Sequence, residues 1–395
     1  MSKFFKIPLK ILPEVKPSGY HFGNVNGGPF KGVPITAVIG DQSAALVGQS
    51  CLTVGSTKAT FGTGCFILQN IGSGTVRDAM RGVPREASSS LITTLGYWLK
   101  DKQPVYALEG SVAIAGAAIT WLRDNISLIN DYKEIEPLAR SVDDSGGVFF
   151  VPAFQGLYAP YWDANASGIV IGLSGFSRKA HVIRATLEAI AFQTVDILSL
   201  MRRDASGMMI DGGMACNDLL CQILSDLTGI EIIRPQTIEA TALGVAMIAG
   251  NTIGVWDIRE PTDVQEEPPL TPNVDDTPTK KLTKRESILS FFSRSVSNRS
   301  GSFVRSISSR SAPVKPKFPA GCDIFYPKIG EDLRNERINA WRLAIERCMK
   351  WTKIKKLEEK RVDYRRKSTI PVGFFLLSSF GILMLSNYFN GGGSL

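Results

Sequence analysis

Apolar positions along residues 34–250 follow two alternating rhythms. Short runs bounded by Gly, Pro or polar residues have the length and the β-branched or aromatic content of strands: PITAVI (34–39), SLITTLGYWL (90–99), PVYAL (104–108), GGVFFVPAF (146–154), GMMID (207–211) and IEIIRP (230–235). Between them, longer segments repeat apolar residues every three or four positions, as one face of a helix does. Over 179–204 that face carries Ile183, Leu187, Ile190, Thr194 and Ile197. SVAIAGAAITWLRD (111–124) and EATALGVAMIAG (239–250) read as helices of small residues that can lie close to a sheet, and NDLLCQILSDLTG (217–229) as a helix stopped by Gly229. The alternation predicts an α/β domain with several strand-end turns facing one crevice.

Outside this region the pattern changes. Residues 1–33 are short, rich in Pro and Gly, and show no strand–helix unit of their own. Residues 257–320 pass from Pro, Asp and Glu into a Ser/Arg/Lys tract, a composition expected to bury too little surface to order itself. Residues 331–352 return to helix, with Ile338, Trp341, Ile345 and Cys348 on one face. A basic linker (353–369) then leads to an uncharged stretch, 370–389. Its length matches the ~20 residues that cross a ~30 Å hydrocarbon core, so it is expected to be a transmembrane tail anchor, with a buried terminal helix as the other reading.

The net charge is +8, yet 280–317 carries +9 and 350–367 carries +6, which leaves −7 for the remainder. An acidic body with two basic appendages argues against a nucleic-acid partner. The six cysteines form no CxxC pair and have neither of the two histidines at ligand spacing, so they read as buried reduced thiols with no metal site among them.

Three turns can carry chemistry. AVIGDQSAALVGQ (37–49) places Asp41 and Gln42 where an apolar run stops and a small-residue helix begins. Two readings fit: Asp is favoured at a helix N-terminus, and in open α/β sheets ligands bind where strands end and helices start. KATFGTGCF (58–66) offers Gly62-Thr63-Gly64 as a phosphate-binding turn or as a plain β-hairpin. IDGGMACND (210–218) offers a Gly-Gly turn at a helix N-terminus, suited to an anion or to tight βα packing alone.

Taken in order, GDQ, GTG, YALEGS (106–111) with AGAAITWLRD (115–124), PAFQGLYAPYWD (152–163) and DGGMACN (211–217) resemble the FGGY carbohydrate kinases and, within them, the glycerol kinase family. The resemblance runs from about Pro8 to Trp256 and resumes at about 321–352. It implies an actin-like, ribonuclease H-like α/β fold in which two domains hinge around an ATP cleft. It makes Asp41 the general base toward glycerol, with Gln42 and Phe66 as further substrate contacts. It places Thr63, Gly116, Gly213 and Asn217 on the nucleotide, and names ATP and Mg2+ as cofactors. On this reading residues 1–49 are the end of a first domain and 50–256 the second, nucleotide-binding domain. Residues 257–320 are then an insertion, and 321–352 the last helical segment of the kinase. Some animal glycerol kinases have a similar tail, so the expected location is the cytosolic face of the mitochondrial outer membrane, with the cytoplasm as the alternative.

There are departures from the family pattern. The phosphate loop and most glycerol contacts of the family's first domain have no counterpart upstream of residue 34, so the chain by itself is expected to be inactive or severely impaired. Thr120 stands where the family often has a nucleotide-contacting Gln, which leaves Thr120 out of the expected site. The connection RRDASGMMIDGG (202–213) is short. Glycerol, ATP, the membrane and a homo-oligomeric copy are the expected partners. The competing reading is a non-catalytic, membrane-tethered remnant or fragment that serves as a binding or assembly module.

Overall fold

A computed structural model describes residues 4–202, 207–237, 239–258 and 321–350, all within one unit. The tract expected at 257–320, apart from Asp257 and Ile258, and the stretch expected to cross a membrane at 370–389 lie outside the described residues. Among the described residues no helix is long and apolar enough to cross a membrane.

The chain opens with β1 (Gly19–Asn24) and β2 (Pro34–Ala37), antiparallel to each other. Helix α1 (Asp41–Gly48) follows, then the hairpin of β3 (Thr57–Phe61) and β4 (Cys65–Ser73). Two short helices, α2 (Val76–Ala79) and α3 (Arg85–Ser90), lead to β5 (Ile92–Tyr97) and β6 (Val105–Val112). Next come α4 (Gly116–Asp124), α5 (Ile135–Arg140) and a second hairpin, β7 (Phe149–Val151) with β8 (Ile169–Ile171). The long helix α6 (Lys179–Leu198) precedes β9 (Gly207–Asp211), α7 (Asp218–Thr228), β10 (Glu231–Arg234) and α8 (Ala240–Thr252). The chain returns as β11 (Asp323–Phe325) and α9 (Glu331–Lys350). Seven strands make one sheet in the order β11-β10-β9-β3-β4-β6-β5, with β10, β9 and β3 mutually parallel and the other pairs antiparallel.

Because side chains alternate across a strand, each face of this sheet has its own core. Phe61, Ile67, Leu108 and Ile210 pack with Ile183, Leu187 and Ile190 of α6, Leu220 and Leu224 of α7, and Trp341 and Ile345 of α9. Leu68, Ala107, Met209 and Ile233 pack with Leu46 and Val47 of α1 and Ile248 of α8. The apolar faces expected for 179–204 and 331–352 are therefore both core faces.

Helices α1 and α8 cross at glycine. A Cβ on Gly244 would lie 1.8 Å from the Ala44 carbonyl oxygen, and one on Gly48 would lie 2.0 Å from that of Ala240. The backbones are in direct contact, and this close crossing fixes where α1, with Asp41 at its start, meets the body.

Three expectations need correction. The run at 34–39 is not a buried strand: β2 pairs only with β1, and Pro34 and Ile35 are exposed. Its partner, β1, comes from residues 1–33. Helix α4 starts at Gly116 rather than near 111, because Ser111 and Val112 still pair with Phe66 and Cys65 across the sheet. The cysteines also divide, with Cys51, Cys65, Cys221 and Cys348 buried but Cys216 exposed.

Helix α9 is held to α6 at two buried carboxyl groups: Arg337 pairs with Glu188 at 2.6 Å, and Trp341 reaches Asp196. The Trp341 ring stacks on Phe192 at 5.2 Å, and its Nε1 donates to Asp196 Oδ2 at 2.9 Å. Burial pushes the Asp196 carboxyl from 3.8 up to about 6, although hydrogen bonds from Trp341 and Tyr161 and the charge of Arg342 partly oppose the rise. A carboxyl raised in the folded state stabilises the fold while protonated, and that contribution is lost as pH rises through the folded value. Asp196→Asn keeps an acceptor for Trp341 without the charge. It should be more stable than the wild type above pH 6, by on the order of 2 kcal/mol, and the two should converge below about pH 4. Thermal unfolding across that range checks this.

Candidate active site

The GTG segment is the tip of the β3–β4 hairpin, with Phe61 opposite Cys65 at its base. It is a hairpin turn and at the same time the seat of a helix. Gly116 N donates to Gly62 O (3.0 Å), and the N–H groups of Ala115 and Ala117 both donate to Thr63 O (3.0 Å each). These bonds satisfy donors that the first turn of α4 cannot pair within itself. The approach requires glycine, since a Cβ on Gly116 would lie 2.6 Å from Gly62 O.

The DGG turn leaves β9 in the same manner. Gly212 has φ +88° and lies so close to the end of β3 that a Cβ would meet Phe61 O at 2.5 Å, whereas a Cβ on Gly213 would meet nothing within 4 Å. Gly212 thus serves packing, and Gly213 leaves open space beside its backbone. Asn217 caps α7, its side chain accepting from Leu220 N at 2.8 Å. Gly62, Thr63, Gly116, Gly213 and Asn217 all line one cavity of about 370 Å³, closed by Ile119, Thr120, Tyr132, Ile135, Leu187 and Met214. All four residues expected to contact a nucleotide border this cavity, and so does Thr120, which had been left out.

The remaining expected residues gather on the other face of the sheet. Asp41 is the first residue of α1, behind the N-cap Gly40, and its Oδ1 accepts from Gln42 N at 2.8 Å. It therefore serves the helix end while staying exposed. The Gln42 side chain lies between two charges: Nε2 reaches Asp41 Oδ2 at 3.5 Å, and Oε1 accepts from Lys58 Nζ at 2.5 Å. Phe66 pairs with Thr60, so it stands on the Lys58 face, more than a third exposed.

Sequence reasoning missed the centre of this group. Lys58 is fully buried in β3, and its ammonium also donates to Thr60 Oγ1 at 2.9 Å. Burial lowers its pKa, while the charges of Asp211 and Glu109 pull the other way. Asp211 is buried as well, with Oδ1 lacking a protein partner, and burial raises its carboxyl against the hydrogen bond from Thr60. Glu109 is raised chiefly by burial, with the charge of Asp41 adding to the effect. Within the mixed polar and apolar run STKATF (56–61) nothing in the sequence set Lys58 apart. Among the described residues no cluster of three His, Cys, Asp or Glu side chains could hold a metal ion.

The two glycines facing the cavity should respond differently to alanine. Gly116→Ala forces two peptide groups apart and should lose about 1–3 kcal/mol, although helix propensity alone favours Ala. Gly213→Ala should stay within ~0.5 kcal/mol of the wild type. Urea unfolding of both variants checks the contrast.

Residues 57–252 match the C-terminal domain of the FGGY family of carbohydrate kinases. The glycerol kinase of Mycolicibacterium vanbaalenii is 47% identical over 262 residues, which are 64% of this chain and 50% of that protein. That of Methylobacterium radiotolerans is 42% identical over 305 residues, 75% of this chain and 57% of its own. The crystal structure of Plasmodium falciparum glycerol kinase with ADP superposes with a TM-score of 0.65 at 29% identity, covering 88% of this chain and 58% of that one. The chain spans about half the length of the curated relatives it matches. The match over residues 57–252, just under half of this chain, is to the FGGY family of carbohydrate kinases, as its C-terminal domain.

Proposed function

We propose that this chain carries the base and the nucleotide shelf of a glycerol kinase, which transfers the γ-phosphoryl group of ATP to glycerol. One observation carries the reading: Thr63, Gly116, Gly213 and Asn217 border a single cavity, while Asp41 and Gln42 connect through Lys58 and Thr60 to the same hairpin. Thr60 lies in β3 and Thr63 at the tip of the hairpin that β3 opens. The names of the relatives, and the ADP in one of their structures, support the choice of substrates.

In this mechanism the Asp41 carboxylate takes the proton from a glycerol hydroxyl as its oxygen bonds to the γ-phosphorus and the bond to ADP breaks. Gln42, oriented by Lys58, hydrogen-bonds glycerol, and Phe66 covers its carbon face. The Thr63 hydroxyl and the open backbone at Gly213 hold phosphate oxygens, and Asn217 reaches the nucleoside. No cluster of carboxylates among the described residues would hold Mg2+ by itself; bound together with the nucleotide, it would supply charge neutralisation.

We further propose that residues 1–395 by themselves transfer phosphate slowly. Asp41 and Phe66 are exposed, so water is not excluded from the reacting groups. A radiolabelled-ATP assay for glycerol 3-phosphate, run beside a full-length relative, should give a rate at least about 10³-fold lower for these residues, equivalent to ~4 kcal/mol. Asp41→Asn should reduce whatever transfer remains by ~10²–10⁴ and leave ADP affinity unchanged. Turnover within tenfold of the relative contradicts the first expectation, and full activity of Asp41→Asn returns Asp41 to helix capping alone.

A further inference from the structure

We propose that Tyr132, acting with Thr120, makes the cavity selective for a nucleotide whose base carries an exocyclic amine over one that carries a carbonyl at that position. The inference rests on reading this cavity as the nucleotide site, and it follows from counting protons.

Four lining side chains are polar: Thr63, Thr120, Tyr132 and Asn217. Thr63 belongs to the GTG turn and Asn217 to the cap of α7, while Thr120 and Tyr132 share the wall with Ile119 and Ile135, apolar surface suited to a flat base. Thr120 Oγ1 lies 3.3 Å from Gly116 O, and a carbonyl only accepts, so the threonine proton is committed there. Thr120 Oγ1 is also 3.2 Å from the Tyr132 hydroxyl. With the threonine proton already used, the tyrosine must donate in that contact. The Tyr132 oxygen is then left with lone pairs alone. An amine on the base can donate to it, whereas a carbonyl oxygen would oppose lone pair to lone pair.

The tyrosine is also held in place. The Arg123 guanidinium lies 4.3 Å from the centre of its ring. The backbone on either side is pinned by a reciprocal cap: Asp131 Oδ1 accepts from Lys133 N at 2.9 Å, and Glu134 Oε1 accepts from Asp131 N at 3.1 Å. A preplaced acceptor discriminates because a mismatched partner leaves it unpaired.

ADP and IDP differ at this amine, which makes them the probes. Their dissociation constants for the 395-residue chain, measured by calorimetry, should differ about tenfold in favour of ADP. Tyr132→Phe keeps the ring and should bring the two affinities close to equality, mainly by weakening ADP. Thr120→Val frees the tyrosine proton to turn toward a carbonyl, so it should strengthen IDP relative to ADP and narrow the ratio. Equal affinities in the wild type, or an unaltered ratio in Tyr132→Phe, would overturn the inference while leaving the nucleotide reading intact. Failure of both nucleotides to bind would overturn the nucleotide reading, and this inference with it.

Discussion

Peptide groups pressed against peptide groups hold the cleft in shape. Gly116 brings the first turn of α4 onto the Gly62 carbonyl, Gly212 brings the end of β9 onto Phe61, and Gly244 brings α8 onto α1 at Ala44. In each case a single added carbon would fall within 1.8–2.6 Å of a backbone oxygen. Glycine loses more conformational freedom on folding than any other residue, so three such contacts are a cost that the two cores beneath them must offset. In return, three strand and helix ends are fixed at van der Waals distance, with no flexible side chain between them.

The sheet separates two kinds of chemistry. On one side the cavity is lined by turns, small residues and hydroxyls. On the other, Lys58 is buried among Gln42, Thr60, Asp211 and Glu109. A buried ammonium is tolerable only with acceptors around it, and here one of those acceptors is the side chain that faces Asp41. The carboxylate Asp211, on the far side of Lys58, sits directly before the Gly-Gly turn of the cavity. The polar interior of the sheet therefore runs from one site to the other through β3.

Much of this was legible in the residues, for reasons particular to each element. Helices α6 and α7 are long and one-sided, and Gly229 and Asn217 mark the ends of α7 plainly. The GTG and DGG turns were each ambiguous alone; GTG is a hairpin tip whose Gly62 and Thr63 carbonyls seat α4, and phosphate binding there belongs to the proposed function. Thr120 was discounted because its residue type departed from the family pattern, yet a shorter side chain at the same site recruits Tyr132 to complete its wall. Tyr132 itself gave no signal, since it sits in a polar segment whose approach to the cavity depends on how α4 and α5 pack. Lys58 was invisible as a functional residue because a lysine in a strand reads as solvent-facing until the neighbouring helix, α1, is placed over it.

The central claim is that four short backbone segments converge to hold one nucleotide. Amide hydrogen exchange of the 395-residue chain with and without ADP and Mg2+ tests it most directly. The account predicts protection confined to 62–64, 116–120, 132–135 and 213–217. Protection centred elsewhere would contradict it, for instance at the second cavity beside Leu52, Tyr97 and Lys102, as would unchanged exchange at saturating ADP.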